Sequence, residues 1–126
     1  MKIYIMLAIG VFVVIAIALL ALGWINYSTR QINNALEELK IPLEAENWPQ
    51  VEAQTAALIK AWQQVEPSWH ILIDHGEIHR VEEPFYQMLY SLKHRLKADA
   101  GHSLEAMVYW LEYIREIERV SWQNIF

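Results

Sequence analysis

Side chains that can hold a metal or move a proton crowd one short stretch, WHILIDHGEIH, from Trp69 to His79. His70 and Asp74 stand i, i+4, one helical turn apart, where they can pair. His75, His79 and Glu83 form a second row at i, i+4, i+8. Two imidazoles one turn apart with a carboxylate make a set that zinc accepts, so His75, His79 and Glu83 are the candidate metal ligands. The order is not that of a zinc protease, because in HGEIH the glutamate is the third residue and not the second. Imidazole also titrates near neutral pH, so a metal- or proton-responsive sensor built on His70 to His79 is the alternative functional reading.

A structural role competes with both and is preferred. Ile71, Asp74, Ile78, Val81 and Phe85 fall on one seam of a helix, which turns Asp74 toward the core. An unpaired carboxylate there is costly and must find a partner. With a turn centred near Ala100, two antiparallel helices face each other where residue numbers add to about 200. The tail SWQNIF then arrives beside Asp74 and His75. It brings the Trp122 indole, the Asn124 amide and the apolar Ile125 and Phe126. This reading makes His70, Asp74, His75 and Asn124 a satisfied polar cluster with no catalytic, cofactor-binding or metal role.

The elements that carry this stretch begin with a membrane segment. Residues Ile3 to Thr29 have no formal charge, and Ile3 to Ile25 read IYIMLAIGVFVVIAIALLALGWI. About 20 apolar residues in a helix span a bilayer core of roughly 30 Å. Tyr4, Trp24 and Tyr27 sit at the ends, where amphipathic rings prefer the interface. A cleaved signal peptide has a shorter apolar region, so an uncleaved anchor is expected. Lys2 flanks one end, while Arg30 at the other is soon followed by Glu37 and Glu38. The positive-inside bias then puts the N-terminus in the cytoplasm and the rest of the chain outside it, as a single-pass protein of the cell membrane.

Beyond the anchor lie all 15 acids and nine of the 10 bases, a net charge of −6. That excludes a nucleic-acid partner, which needs a basic face. The absence of cysteine excludes disulfides and thiol chemistry. No Gly-rich phosphate loop and no G-x-S-x-G nucleophile motif appears, so neither an enzyme nor a cofactor is expected.

Ile25, Thr29, Ile32, Leu36, Leu39 and Leu43 form one stripe at helical spacing. The membrane helix is expected to continue in water to about Lys40, end at Pro42, and pack on the domain or pair with a second copy. Asn47 and Pro49 open a second helix with Val51, Thr55, Leu58, Trp62 and Val65 inward. Pro67 is read as the turn into a third helix, kinked or split at Pro84. ADAGHS is the next break, with Gly101 as turn and Ser103 as cap. A last helix points Leu104, Met107, Val108, Leu111, Ile114 and Ile117 inward. No strand signal is present. The expected fold is all-α. A transmembrane anchor (1–26) and a juxtamembrane helix and linker (27–46) precede a small antiparallel bundle of three to four helices in TPR-like hairpins (47–126). The expected function is an interaction module or accessory subunit, with a membrane-protein partner or a second copy of the chain.

NWPQVEAQ, WHILIDHGEI and the terminal NIF, behind an N-terminal membrane helix, resemble the bacterial DUF4363 family of small single-pass proteins. The resemblance covers nearly the whole chain. Its specific part is LIDHGEI, Leu72 to Ile78, supported by Trp48, Trp69, Asn124, Ile125 and Phe126. The chain departs from the family pattern at Gly76, where the family has another residue, and at His79, whose place is usually acidic. The resemblance implies the fold and the membrane location and carries no assigned activity.

Overall fold

The computed structural model describes the backbone of residues 1–125 and all their side chains except those of Trp122 and Ile125. Four helices follow one another: α1 (Lys2–Glu44), α2 (Trp48–Leu72), α3 (His75–Lys93) and α4 (Lys97–Ile125), with no strand among the described residues.

α1 has two halves of different chemistry in one continuous rod of about 65 Å. The first half is apolar and almost bare, and only 6 % of its most apolar stretch is buried. It is the one helix among the described residues long and apolar enough to cross a membrane. The second half turns Ile25, Thr29, Ile32, Leu36, Leu39 and Leu43 into the core, as the stripe required. Packing therefore divides the chain near Trp24 and not at residue 47, because residues 25–43 are the first helix of the bundle. α1 lies between α2 and α4, α3 packs mainly on α4, and α2 touches α3 least.

The helix ends differ from those expected, for local reasons. Pro42 does not stop α1, which runs to Glu44. Chain reversal comes from Glu46, held at φ 54°. Asn47 N–H donates to Pro42 C=O at 2.9 Å and Glu46 N–H to Leu43 C=O at 3.1 Å, a Schellman closure. The third reversal has the same form. Arg95 stands at φ 57°, Leu96 N–H donates to Ser91 C=O and Arg95 N–H to Leu92 C=O. Gly101 and Ser103 thus lie inside α4 and not in a break.

Pro67 and Pro84 likewise lie inside α2 and α3. A proline deprives the carbonyl four residues before it of its partner. Those residues, Gln63 and Arg80, are exposed, so water can take the vacant bond. α2 therefore continues to Leu72, and the break falls at Ile73 and Asp74. Ile73 closes α2 in an extended conformation and buries its own side chain.

The core is continuous from Ile25 to Ile114. Trp62 meets Trp69 edge-on at 5.5 Å and Phe85 at 5.4 Å between centroids, so an aromatic group joins α2 to α3. Such pairs contribute about 0.5–1.5 kcal/mol beyond their buried area.

Candidate functional site

The break at Ile73–Asp74 decides the fate of the histidine-rich stretch. Asp74 is the N-cap of α3, and its Oδ2 accepts from Gly76 N–H at 3.2 Å. A capping carboxylate there meets the unpaired amides and the positive end of the helix. Asp74 is exposed and does not face the core, because it precedes the helix on whose seam it was placed. Ile71 is also turned out, 84 % exposed. A Cβ at position 76 would come within 3.0 Å of the Asp74 carboxylate, so glycine here lets the cap close.

The expected partner of this stretch is elsewhere. Arg80 lies over the rings of Trp110 and Tyr113 at 5.2 and 5.8 Å. Facing numbers on α3 and α4 therefore add to about 190 rather than 200, because the turn is at Arg95. α4 accordingly carries the tail past the start of α3. Asn124 is exposed on α4 and makes no hydrogen bond to Asp74 or His75 among the described residues. The parts of the expectation resting on the Trp122 and Ile125 side chains and on Phe126 lie outside the described residues.

Of the named side chains, only His70 and His75 meet, Nδ1 to Nδ1 at 3.4 Å. His75, His79 and Glu83 are all exposed and do not converge as a ligand set. The structure gathers a different group, Glu66, His70 and Glu82, whose ligand atoms lie within 4.8 Å of one another. His70 Nε2 stands 3.5 Å from Glu66 Oε1 and 3.5 Å from Glu82 Oε1. Glu66 and His70 come from the last two turns of α2, and Glu82 from the second turn of α3. Tyr86 borders the group. Its phenol is raised above its ordinary value, first by partial burial and then by the charges of Glu66 and Glu82. Glu66 was detectable from the sequence as the i−4 neighbour of His70. Glu82 was not, since its place depends on the angle at Asp74.

A second pair of acids lies between α3 and α4. Burial, and then the charge of Glu77, raise the Glu118 carboxyl above its usual range. Glu77 Oε1 is 3.6 Å from Arg80, while its Oε2 is buried without a partner among the described residues.

At the other side of α2, two crossed hydrogen bonds tie it to α1. Trp24 Nε1 donates to Ser68 Oγ at 2.6 Å, and Trp69 Nε1 donates to Ser28 Oγ at 2.7 Å. Each helix supplies one indole and one hydroxyl. On α1 the bonds fall at the C-terminal end of the apolar run, Trp24 inside it and Ser28 just past it.

The profile of the family described as Domain of unknown function (DUF4363) matches residues 20–125. No curated protein and no solved structure shows a match.

Proposed function

The chain belongs to the DUF4363 family, and from that premise we propose that it is a membrane-anchored helical interaction module, an accessory subunit of a membrane complex, rather than an enzyme. One observation carries the reading. A single helix begins as a bare apolar rod and ends as the core of a bundle. With no hinge between the halves, forces and orientation pass directly from bilayer to bundle. In this reading α1 crosses the cell membrane once. Lys2 lies in the cytoplasm, and the acidic bundle lies outside, following the charge bias. The partner is another membrane protein, because the anchor confines the bundle to the membrane surface and its net charge is unsuited to nucleic acid.

Affinity purification from gently solubilised membranes tests the proposal. A second membrane protein should co-purify in fixed stoichiometry. Recovery of the chain alone, or only of multiples of itself, would contradict it.

A second reading, a metal-responsive domain, is favoured by one geometric fact. Zinc bonds of about 2.0–2.2 Å to nitrogen and oxygen place tetrahedral ligands about 3.3–3.5 Å apart. Both His70–glutamate separations are 3.5 Å, longer than a charge-assisted hydrogen bond of about 2.7–2.9 Å. Glu66, His70 and Glu82 would be the ligands. His70 would then carry its proton on Nδ1 and donate it to His75, an outer partner of the kind metal-bound imidazoles use. Zinc titration of the purified full chain should give one site per chain. His70→Ala or Glu82→Gln should weaken it by at least about tenfold, the lower end of what outer-partner losses already cost. His79→Asp should leave it unchanged. Equal weakening by His79→Asp would return the ligands to the exposed row and sink this reading.

A further inference from the structure

The α2–α3 turn carries apolar side chains that the bundle does not use. Ile71 is 84 % exposed and Leu72 is 37 % exposed, while Ile73 beside them is buried. A bare isoleucine beside a leucine left about one-third exposed, at the tip of a small domain, is poor in water, and its surroundings indicate what covers it.

The Trp24–Ser68 and Ser28–Trp69 bonds fix the level of this tip along α1. α2 is antiparallel to α1, since a short reversal at Ala45–Asn47 joins them and the two helices pack side by side. From Ser68 and Trp69, α2 runs on toward the N-terminal end of α1 for three to four more residues, about 5 Å. That brings Ile71 and Leu72 level with the last turn of the apolar run, near Leu20 to Trp24. On the membrane reading of α1, this is the depth of the headgroup and acyl boundary, where exposed apolar side chains are buried by about 5–10 Å.

The chemistry of the tip agrees with that depth. Asp74, the acid nearest these residues in sequence, is turned back onto the Gly76 amide as a helix cap. The Trp24 indole, at the same level, satisfies its N–H on Ser68 and so adds a half-buried ring at the interface.

We infer that the α2–α3 turn is a second membrane contact, seating Ile71 and Leu72 in the lipid interface beside the exit of α1. The occupant of the exposed patch is lipid, and the contact is apolar rather than electrostatic, since the domain is acidic. The bundle is then held at two points, the rod and the tip, and does not swing about the rod.

This inference rests on the membrane-spanning reading of α1, and the test separates the two. The chain has no cysteine, so single cysteines can carry an environment-sensitive fluorophore. The full chain is reconstituted in phosphatidylcholine vesicles with the label at Ile71→Cys, Leu72→Cys, Val13→Cys or Ala57→Cys. All four positions are exposed, so labelling leaves the core intact. Val13 reports the span, and Ala57, far up α2, reports water. The labels at 71 and 72 should emit to the blue of that at 57 and be quenched by a lipid-borne quencher more than by iodide. If the labels at 71 and 72 behave like that at 57 while the one at 13 stays protected, the seat is wrong and the span stands. If iodide quenches the label at 13 as well, the span itself fails and the seat with it.

Discussion

Trp69 donates its indole N–H to Ser28 Oγ at 2.7 Å, with both residues buried and 41 positions apart in sequence. Ser28 in turn donates to the Trp24 carbonyl at 2.7 Å, so its hydroxyl both accepts and donates. A hydroxyl inside a helix facing a core needs such an arrangement, since an unsatisfied buried group costs about 1–3 kcal/mol. Ser28→Ala strands the indole N–H and should destabilise the bundle by about that amount. Trp69→Phe removes the donor but also packing volume, and should cost more. In a double-mutant cycle by denaturant unfolding, the pair should cost less than the sum of the two, because one bond is shared. Strict additivity would show that the bond contributes nothing.

The second half of α1 is core and not linker. Leu36 is fully buried, and Leu36→Ala should cost about 2–5 kcal/mol. A chain beginning at Leu20 should keep the cooperative thermal transition of the bundle, whereas one beginning at Ile41 should lose it. Retention of the transition by the shorter chain would place the domain boundary after α1.

Two reversals are made by non-glycine residues in the left-handed region. Glu46 is exposed and stands at φ 54°, a conformation that costs a side-chain-bearing residue about 1–2 kcal/mol. Glycine relieves that cost but loses more chain entropy on folding, about 0.4–1 kcal/mol. Glu46→Gly should therefore stabilise by up to about 1 kcal/mol. A loss of stability would mean that the glutamate makes contacts outweighing its backbone cost.

The Glu118 carboxyl is raised by burial and by Glu77. A folded-state value above the unfolded one means that the protonated form is favoured by folding. Its contribution is fully present below the unfolded carboxylate range and is lost as pH rises through the folded value. Glu118→Gln should therefore raise the melting temperature at neutral pH and give little gain at pH values below the unfolded carboxylate range. A pH-independent gain would assign the effect to packing rather than charge.

The helices of this chain are written in its apolar spacing, and α1 shows how far that goes. The charge-free run and the stripe from Ile25 to Leu43 were both legible, because each is long and strongly periodic. The ends were not. Glu46 and Arg95 adopt left-handed backbone without glycine, so the reversals carry no composition signal, and Gly101 offered a false one. Pro67 also misled, since a proline is tolerated inside a helix where the residue four before it, here Gln63, is exposed and water can take the vacant bond. That error moved the break from Asp74 to Pro67 and turned a helix cap into a supposed core carboxylate. The candidate site inherits it. Glu66 and Glu82 meet His70 only because two helices part at Asp74, a long-range consequence that spacing within one helix cannot express. The expected stability loss for Asp74→Ala falls accordingly to about 1 kcal/mol, that of a cap. Thermal or denaturant unfolding of that variant checks it, and a loss above the roughly 2 kcal/mol limit for a cap would restore a buried role for Asp74.

Cysteine accessibility in intact cells tests the central claim most directly, because the natural chain supplies a cysteine-free background. Lys2→Cys, Val13→Cys and Glu52→Cys are each exposed positions in the fold. Treated with a membrane-impermeant maleimide, Glu52→Cys should react in intact cells and Lys2→Cys only after permeabilisation. Val13→Cys should react in neither state until detergent removes the bilayer. Reaction of Lys2→Cys and not Glu52→Cys in intact cells would invert the topology. Reaction of Val13→Cys with the bilayer in place would contradict the membrane anchor itself.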